Sequence, residues 1–163
     1  MERMIATIVA PVDFSESSTR TARYAVALAR RLGATLHLVH VVDAPALASP
    51  PRFDAPDAIS PGERQYQEAR ARMAALAATL DMRERLSTDV RMGPVAEGIT
   101  QAAVDYGADL VIMATHGRTG LSHLLMGSVA ERVIRTARCP VLVVRGCGQI
   151  HMHVPEASEL TSA

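Results

Sequence analysis

The stretch best equipped for chemistry is Met113-Ala114-Thr115-His116-Gly117, followed by Gly127-Ser128-Val129-Ala130-Glu131. It leaves an apolar run, passes through a glycine-containing loop and enters an amphipathic segment. Open α/β sheets place ligands at such strand ends. A helix start offers unpaired backbone N–H groups and the positive end of the helix dipole, both of which attract anions. Gly117 and Gly127 let the backbone approach a phosphate with no Cβ in the way, and Ser128 adds a hydroxyl donor. A plainer role fits the same residues. Ser128 and Glu131 form S-x-x-E, a capping box that satisfies a helix end without any ligand, with Gly127 as the turn before it.

Asp13 poses the same choice, because with Glu16 it makes D-x-x-E, which suits either a helix cap or a ligand contact. His116 reads equally as a turn residue or a ligand. Cys147, His151 and His153 form C-x3-H-x-H, but a structural zinc takes four ligands on a fixed scaffold, and this segment offers three. His37 and His40 fall on opposite faces of a strand, as packing residues rather than a pair. No G-x-S-x-G elbow and no G-x-x-x-x-G-K-[S/T] loop is present. Without the lysine of that loop fast ATP hydrolysis is not expected. Asp13 could ligate magnesium, but no general base for an attacking water stands out.

These residues must be positioned by alternating elements. Met4 to Ala10 reads as a first strand, with turn residues Pro11 to Ser18 after it. Ala22, Ala25, Val26, Ala29 and Leu32 then recur at helical spacing up to Gly33, a helix-ending glycine. Thr35 to Val42 is a β-branched second strand. Residues 44–62 hold Pro45, Pro50, Pro51, Pro56, Pro61 and Gly62, which predicts a long surface loop. A second helix buries Ala69, Met73 and Leu76 and turns Arg, Gln and Glu to solvent, a charged face given no function. Ser87 to Met92 alternates, as an edge strand does, and Pro94 opens a third helix that closes at Gly107. Asp109 to Ala114 is a buried fourth strand, Ser128 to about Arg138 a fourth helix, and Pro140 to Val144 the last strand. Five strands separated by four helices predict an α/β fold: one open parallel sheet with helices on both faces. The tail, residues 146–163, has no periodicity and is expected to be flexible.

Bulk properties narrow the function. The 163 residues suit one domain, and only 3% are aromatic, so the core is aliphatic, with eight Met as filler. Seventeen basic residues balance seventeen acidic ones, without the basic excess of a nucleic-acid binder. Two cysteines build no disulfide framework. No segment approaches the roughly 20 apolar residues that span a bilayer, and Met1 to Ala10 lacks the length and cleavage site of a signal peptide. A soluble cytoplasmic protein is the expectation.

The chemistry-bearing segment resembles the nucleotide signature of ATP-binding universal stress proteins, G-x-x-G-x9-G-[S/T]. Here it reads Ala114-x-x-Gly117, nine residues, then Gly127-Ser128. Ile8-Val9-Ala10-Pro11-Val12-Asp13-Phe14-Ser15 and Cys139-Pro140-Val141-Leu142-Val143-Val144 are also typical of the family, so the likeness covers residues 1–145. One position departs: the first glycine is Ala114, which bars binding only if that residue needs a positive φ.

The resemblance implies a Rossmann-like sheet of order 3-2-1-4-5, with a switch-point crevice between strands one and four. Pro11, Val12 and Asp13 leave strand one on one side of it, and Val12, Asp13 and Val41 would then line the adenosine end of an ATP site that can also take magnesium. Met113 and Ala114 leave strand four on the opposite side, and His116, Gly117, Gly127, Ser128 and Val129 cradle the phosphates. It also implies a homodimer through Pro140, Val141, Leu142, Val143 and Val144, unless the tail covers that edge. Two alternatives stay open: a stress-related interaction protein that binds no nucleotide, and a slow ATPase or nucleotide transferase. The latter has only Arg118 and His123 near Ser128 to draw on.

Overall fold

The computed structural model describes residues 5–43, 60–115, 127–145 and 150–153. β1 (Thr7–Pro11) leads to α1 (Glu16–Leu32) and β2 (Thr35–Val42). α2 (Pro61–Ala78) and a short 3-10 turn (Arg83–Arg85) precede β3 (Leu86–Met92). α3 (Val95–Asp105), β4 (Leu110–Ala114), α4 (Ser128–Thr136) and β5 (Val141–Val144) follow, and β6 (Ile150–His153) is last among the described residues.

Local chemistry sets the helix limits. Ser15 caps α1 by accepting from the Ser18 amide at 3.1 Å, and Gly33 ends it in the left-handed region at φ 66°. Ser60 caps α2 through the Glu63 amide at 3.1 Å. Pro61 and Gly62, expected in the loop, therefore lie in the first turn of α2. Proline suits that position because a first-turn amide has no intrahelical acceptor.

The first five strands are parallel in the order β3-β2-β1-β4-β5, as expected. Side chains alternate across the sheet. Ile8, Leu36, Leu38, Leu110, Ile112 and Leu142 face α1 and α2, with Met73 packed on them. Val9, Val39, Val41, Val111, Met113 and Val141 face α3 and α4 with Ile99 and Val133. Leu110, Val111 and Ile112 are all inaccessible, as befits a strand covered on both faces. β3 occupies one edge, and its α3-facing row is polar. Arg91 binds Asp89 and Asp105 at 2.7 Å each, and the Tyr106 hydroxyl donates to Asp89 at 3.1 Å.

One departure concerns the other edge. Among the described residues the sheet has six strands, because β6 pairs antiparallel with β5 in the register Val141↔His153 to Val144↔Ile150. Residues 150–153 thus take regular structure where a tail without periodicity was expected. The outer edge of β5, expected to pair with a second copy through Pro140, Val141, Leu142, Val143 and Val144, is taken by the same chain. β5 is apolar and needs a cover, and the nearest segment able to turn back supplies it.

Candidate functional site

β1 and β4 are neighbours whose chain connections leave in opposite directions, β1 toward β2 and β4 toward β5. No helix can cross the gap between such connections, so a crevice opens at their carboxyl ends. A cavity of about 670 Å³ lies there, within the range of about 300–1,000 Å³ common for small-molecule sites. Pro11, Val12, Asp13, Val41, Met113, Ala114, Gly127, Ser128 and Val129 all line it. His116 and Gly117 lie outside the described residues, as do Arg118, His123 and Cys147.

Two alternatives left by the sequence are decided by geometry. Gly127, not Ser128, is the N-cap of α4, and no side chain among the described residues caps that end. Ser128 is therefore the first helical residue, one position too late for a capping box. Glu131 makes an ordinary helical bond to the Gly127 carbonyl at 3.0 Å, and its carboxylate lies 4.0 Å from Arg135. The amide end of α4 lines the cavity through Gly127, Ser128 and Val129, with no side-chain acceptor on it among the described residues. Asp13 likewise does not cap α1, because Ser15 does. Asp13 Oδ1 accepts from the Ser15 amide at 3.0 Å while the residue lines the cavity. Ala114 pairs with Val144 and is not among the positive-φ residues, so its methyl replaces a glycine hydrogen without backbone strain.

The cavity has two unlike sides. Toward α3 and α4 its wall is apolar: Val39, Val41, Val95, Ile99, Met113 and Ala130 line an apolar slot. Toward α2 it is polar, with Gln65, Glu68 and Arg72 on one helical face. That is the charged face read from the sequence as a solvated surface. Arg72 stands 4.1 Å over the Phe14 ring and has no carboxylate partner among the described residues. Phe14 packs on the His40 ring at 4.5 Å. The His40 Nδ1 lies 2.6 Å from the Val12 carbonyl, an acceptor, so that nitrogen carries the proton.

Phe14 is also the one non-glycine residue at positive φ, 63°, among the described residues. Such a conformation costs about 1–2 kcal/mol and is found where chains turn sharply at ligand sites. No sequence signal announced Phe14 or His40 as cavity residues. The 65, 68, 72 spacing on α2 could have been noticed.

A second polar cluster lies on the α3 side near β3. The His37 ring stacks on Tyr106 at 3.9 Å, and its Nδ1 meets Ser87 Oγ at 2.6 Å. Burial pushes the His37 pKa down, against the pull of Asp89. Burial, with Asp89, raises that of Tyr106. Hydrogen bonds from Gln101 and Arg91 lower that of Asp105. His37 and His40 do sit on opposite faces. Among the described residues no group of three His, Cys, Asp or Glu is placed to hold a metal, and no helix is long and apolar enough to cross a membrane.

The model of the universal stress protein family matches residues 4–145. Universal stress protein MJ0531 of Methanocaldococcus jannaschii is 35% identical over 145 residues, covering 88% of this chain and 84% of the relative. The solved structure of MJ0577, from the same organism, is 28% identical with a TM-score of 0.68, covering 88% of this chain and 97% of that one. A universal stress protein of Archaeoglobus fulgidus, solved in complex with dAMP, superposes with a TM-score of 0.58 over 86% of this chain and 98% of its own. At 19% identity that likeness is one of fold.

Proposed function

The chain belongs to the universal stress protein family, and from that premise we propose that it is a cytoplasmic, ATP-binding regulatory protein. The observation that carries this reading is the start of α4, which lines the cavity behind a glycine and is capped by no side chain among the described residues. Backbone amides and the helix dipole there favour an anion, and phosphate is one that such helix ends hold. The apolar slot beside Val41 takes the adenine. Asp13 lines the same cavity, where it would accept from a ribose hydroxyl or hold a magnesium ion carried on the phosphates. Bound ATP would supply a charged group whose presence or absence changes the surface at the crevice mouth, which is what a regulatory role requires.

Nothing on the described lining supplies a lysine of the P-loop kind, so binding rather than rapid turnover is the chemistry the site supports. A homodimer through Pro140–Val144 belongs to this reading only in a state where β6 has left the edge of β5.

Calorimetry with Mg-ATP tests the proposal. The wild-type chain should bind with a Kd on the order of micromolar. Gly127→Val should abolish binding without unfolding the chain, because φ −63° and ψ 145° are allowed for any L residue. Absence of heat up to millimolar ATP would overturn it.

A further inference from the structure

Gly98 lies in the first half of α3, where a glycine costs about 1 kcal/mol relative to alanine. Its backbone is not at positive φ, so conformation does not demand glycine. Space does. A Cβ on Gly98 would lie 2.8 Å from both Cγ1 and Cγ2 of Val41. The two methyls straddle the glycine. Staggered valine rotamers differ by 120° steps, so every one of them leaves at least one methyl on that side. Val41 cannot turn away, and it is packed on the rest of the sheet.

Val41 lines the apolar part of the cavity, and so do Val95 and Ile99, which flank Gly98 on α3. The width of the slot is therefore set where α3 touches β2 at a position without a side chain. We infer that the Gly98–Val41 contact is a gauge that fits the slot to a purine, making Gly98 a positioning residue for base selection although it is not on the lining. This rests on the ATP reading above. With a methyl at position 98, α3 must stand back by roughly 1 Å to restore ordinary carbon contacts. Val95 and Ile99 move with it. A two-ring base that touches both walls loses contact, whereas a one-ring base has less contact to lose.

Calorimetry with ATP and CTP on the wild type, Gly98→Ala, Val41→Ala and the double variant tests this. Wild type should prefer ATP. Gly98→Ala should weaken ATP about four- to ten-fold, the equivalent of one or two lost methylene contacts, and CTP by less. In the Val41→Ala background the same substitution should cost little, because the straddling methyls are gone. Equal weakening of both nucleotides, or the same loss in both backgrounds, overturns the gauge. Should Gly98→Ala fail to fold, Ile99→Val thins the same wall and must also lower ATP more than CTP. A wild type that binds ATP and CTP equally removes the gauge and leaves the nucleotide site standing. One that binds neither removes the nucleotide reading itself, and the gauge with it.

Discussion

Gly127 sits at the N-cap of α4 in a conformation open to any L residue, and no side chain among the described residues accepts from that helix end. Gly127→Asp supplies the missing acceptor. A cap of this kind adds a few tenths of a kcal/mol over glycine, and its charge at the positive end of the dipole about 0.3–1 kcal/mol. Loss of glycine's freedom in the unfolded chain adds a further 0.4–1 kcal/mol or so. The sum is about 1–2 kcal/mol, which in a chain of this length raises the melting temperature by about 2–8 °C. The same carboxylate occupies the amides that would hold a phosphate and repels it. A charged hydrogen bond is worth about 1.5–3 kcal/mol, so Mg-ATP affinity should fall ten- to a hundred-fold. Scanning calorimetry without ligand and titration calorimetry with Mg-ATP read the two effects. Their opposite signs separate them from general damage, which lowers both. A variant that is less stable, or that binds ATP as the wild type does, refutes the assignment of this helix end to the phosphates.

The cover on β5 leads to a second expectation. Ending the chain after Arg145 removes β6, and light scattering should then show dimer or aggregate where the full chain should run as a monomer at micromolar concentration; identical masses would contradict it. The His37 cluster leads to a third. The folded pKa of His37 lies below its ordinary 6.5, so in acid the unfolded chain takes up the proton more readily and stability falls as pH drops below 6.5. The depressed carboxyl of Asp105 acts in the same direction at lower pH. Urea midpoints should decrease from pH 7.5 to 5.5 and flatten in His37→Gln; a midpoint that rises would refute the sign.

Elements whose burial is uniform were legible in the sequence. β2 runs from Thr35 to Val42 and β4 ends at Ala114, as the β-branched and apolar runs indicate. Where one residue of register decides a role, the sequence was mute. S-x-x-E reads as a capping box whether the serine is the cap or the residue after it, and only the backbone places Gly127 at the cap. D-x-x-E misleads for the same reason, with Ser15 two residues on taking the role. The polar face of α2 looks solvated because periodicity reports which side faces the core and says nothing of a cavity at the helix's other margin. Phe14 escaped notice because a bulky residue at positive φ contradicts local preference. β6 is too short to show a period, and its pairing depends on an apolar edge strand, β5, that only the fold leaves uncovered.

The strand made first is the one that ends in the middle. Ile8 pairs with Leu36 on one side and with Leu110 on the other, so β1 waits for the second half of the chain before its sheet neighbours are complete. During synthesis the first half can assemble β3, β2 and β1 with α1 and α2, leaving an apolar edge of β1 open until β4 emerges. The cavity draws Asp13 and Val41 from the early half and Gly127 and Ser128 from the late half. A nucleotide bound there gives no help to the nascent intermediate. By mass action it stabilises the finished protein alone, and each molecule of ligand taken up marks a chain that has completed its fold.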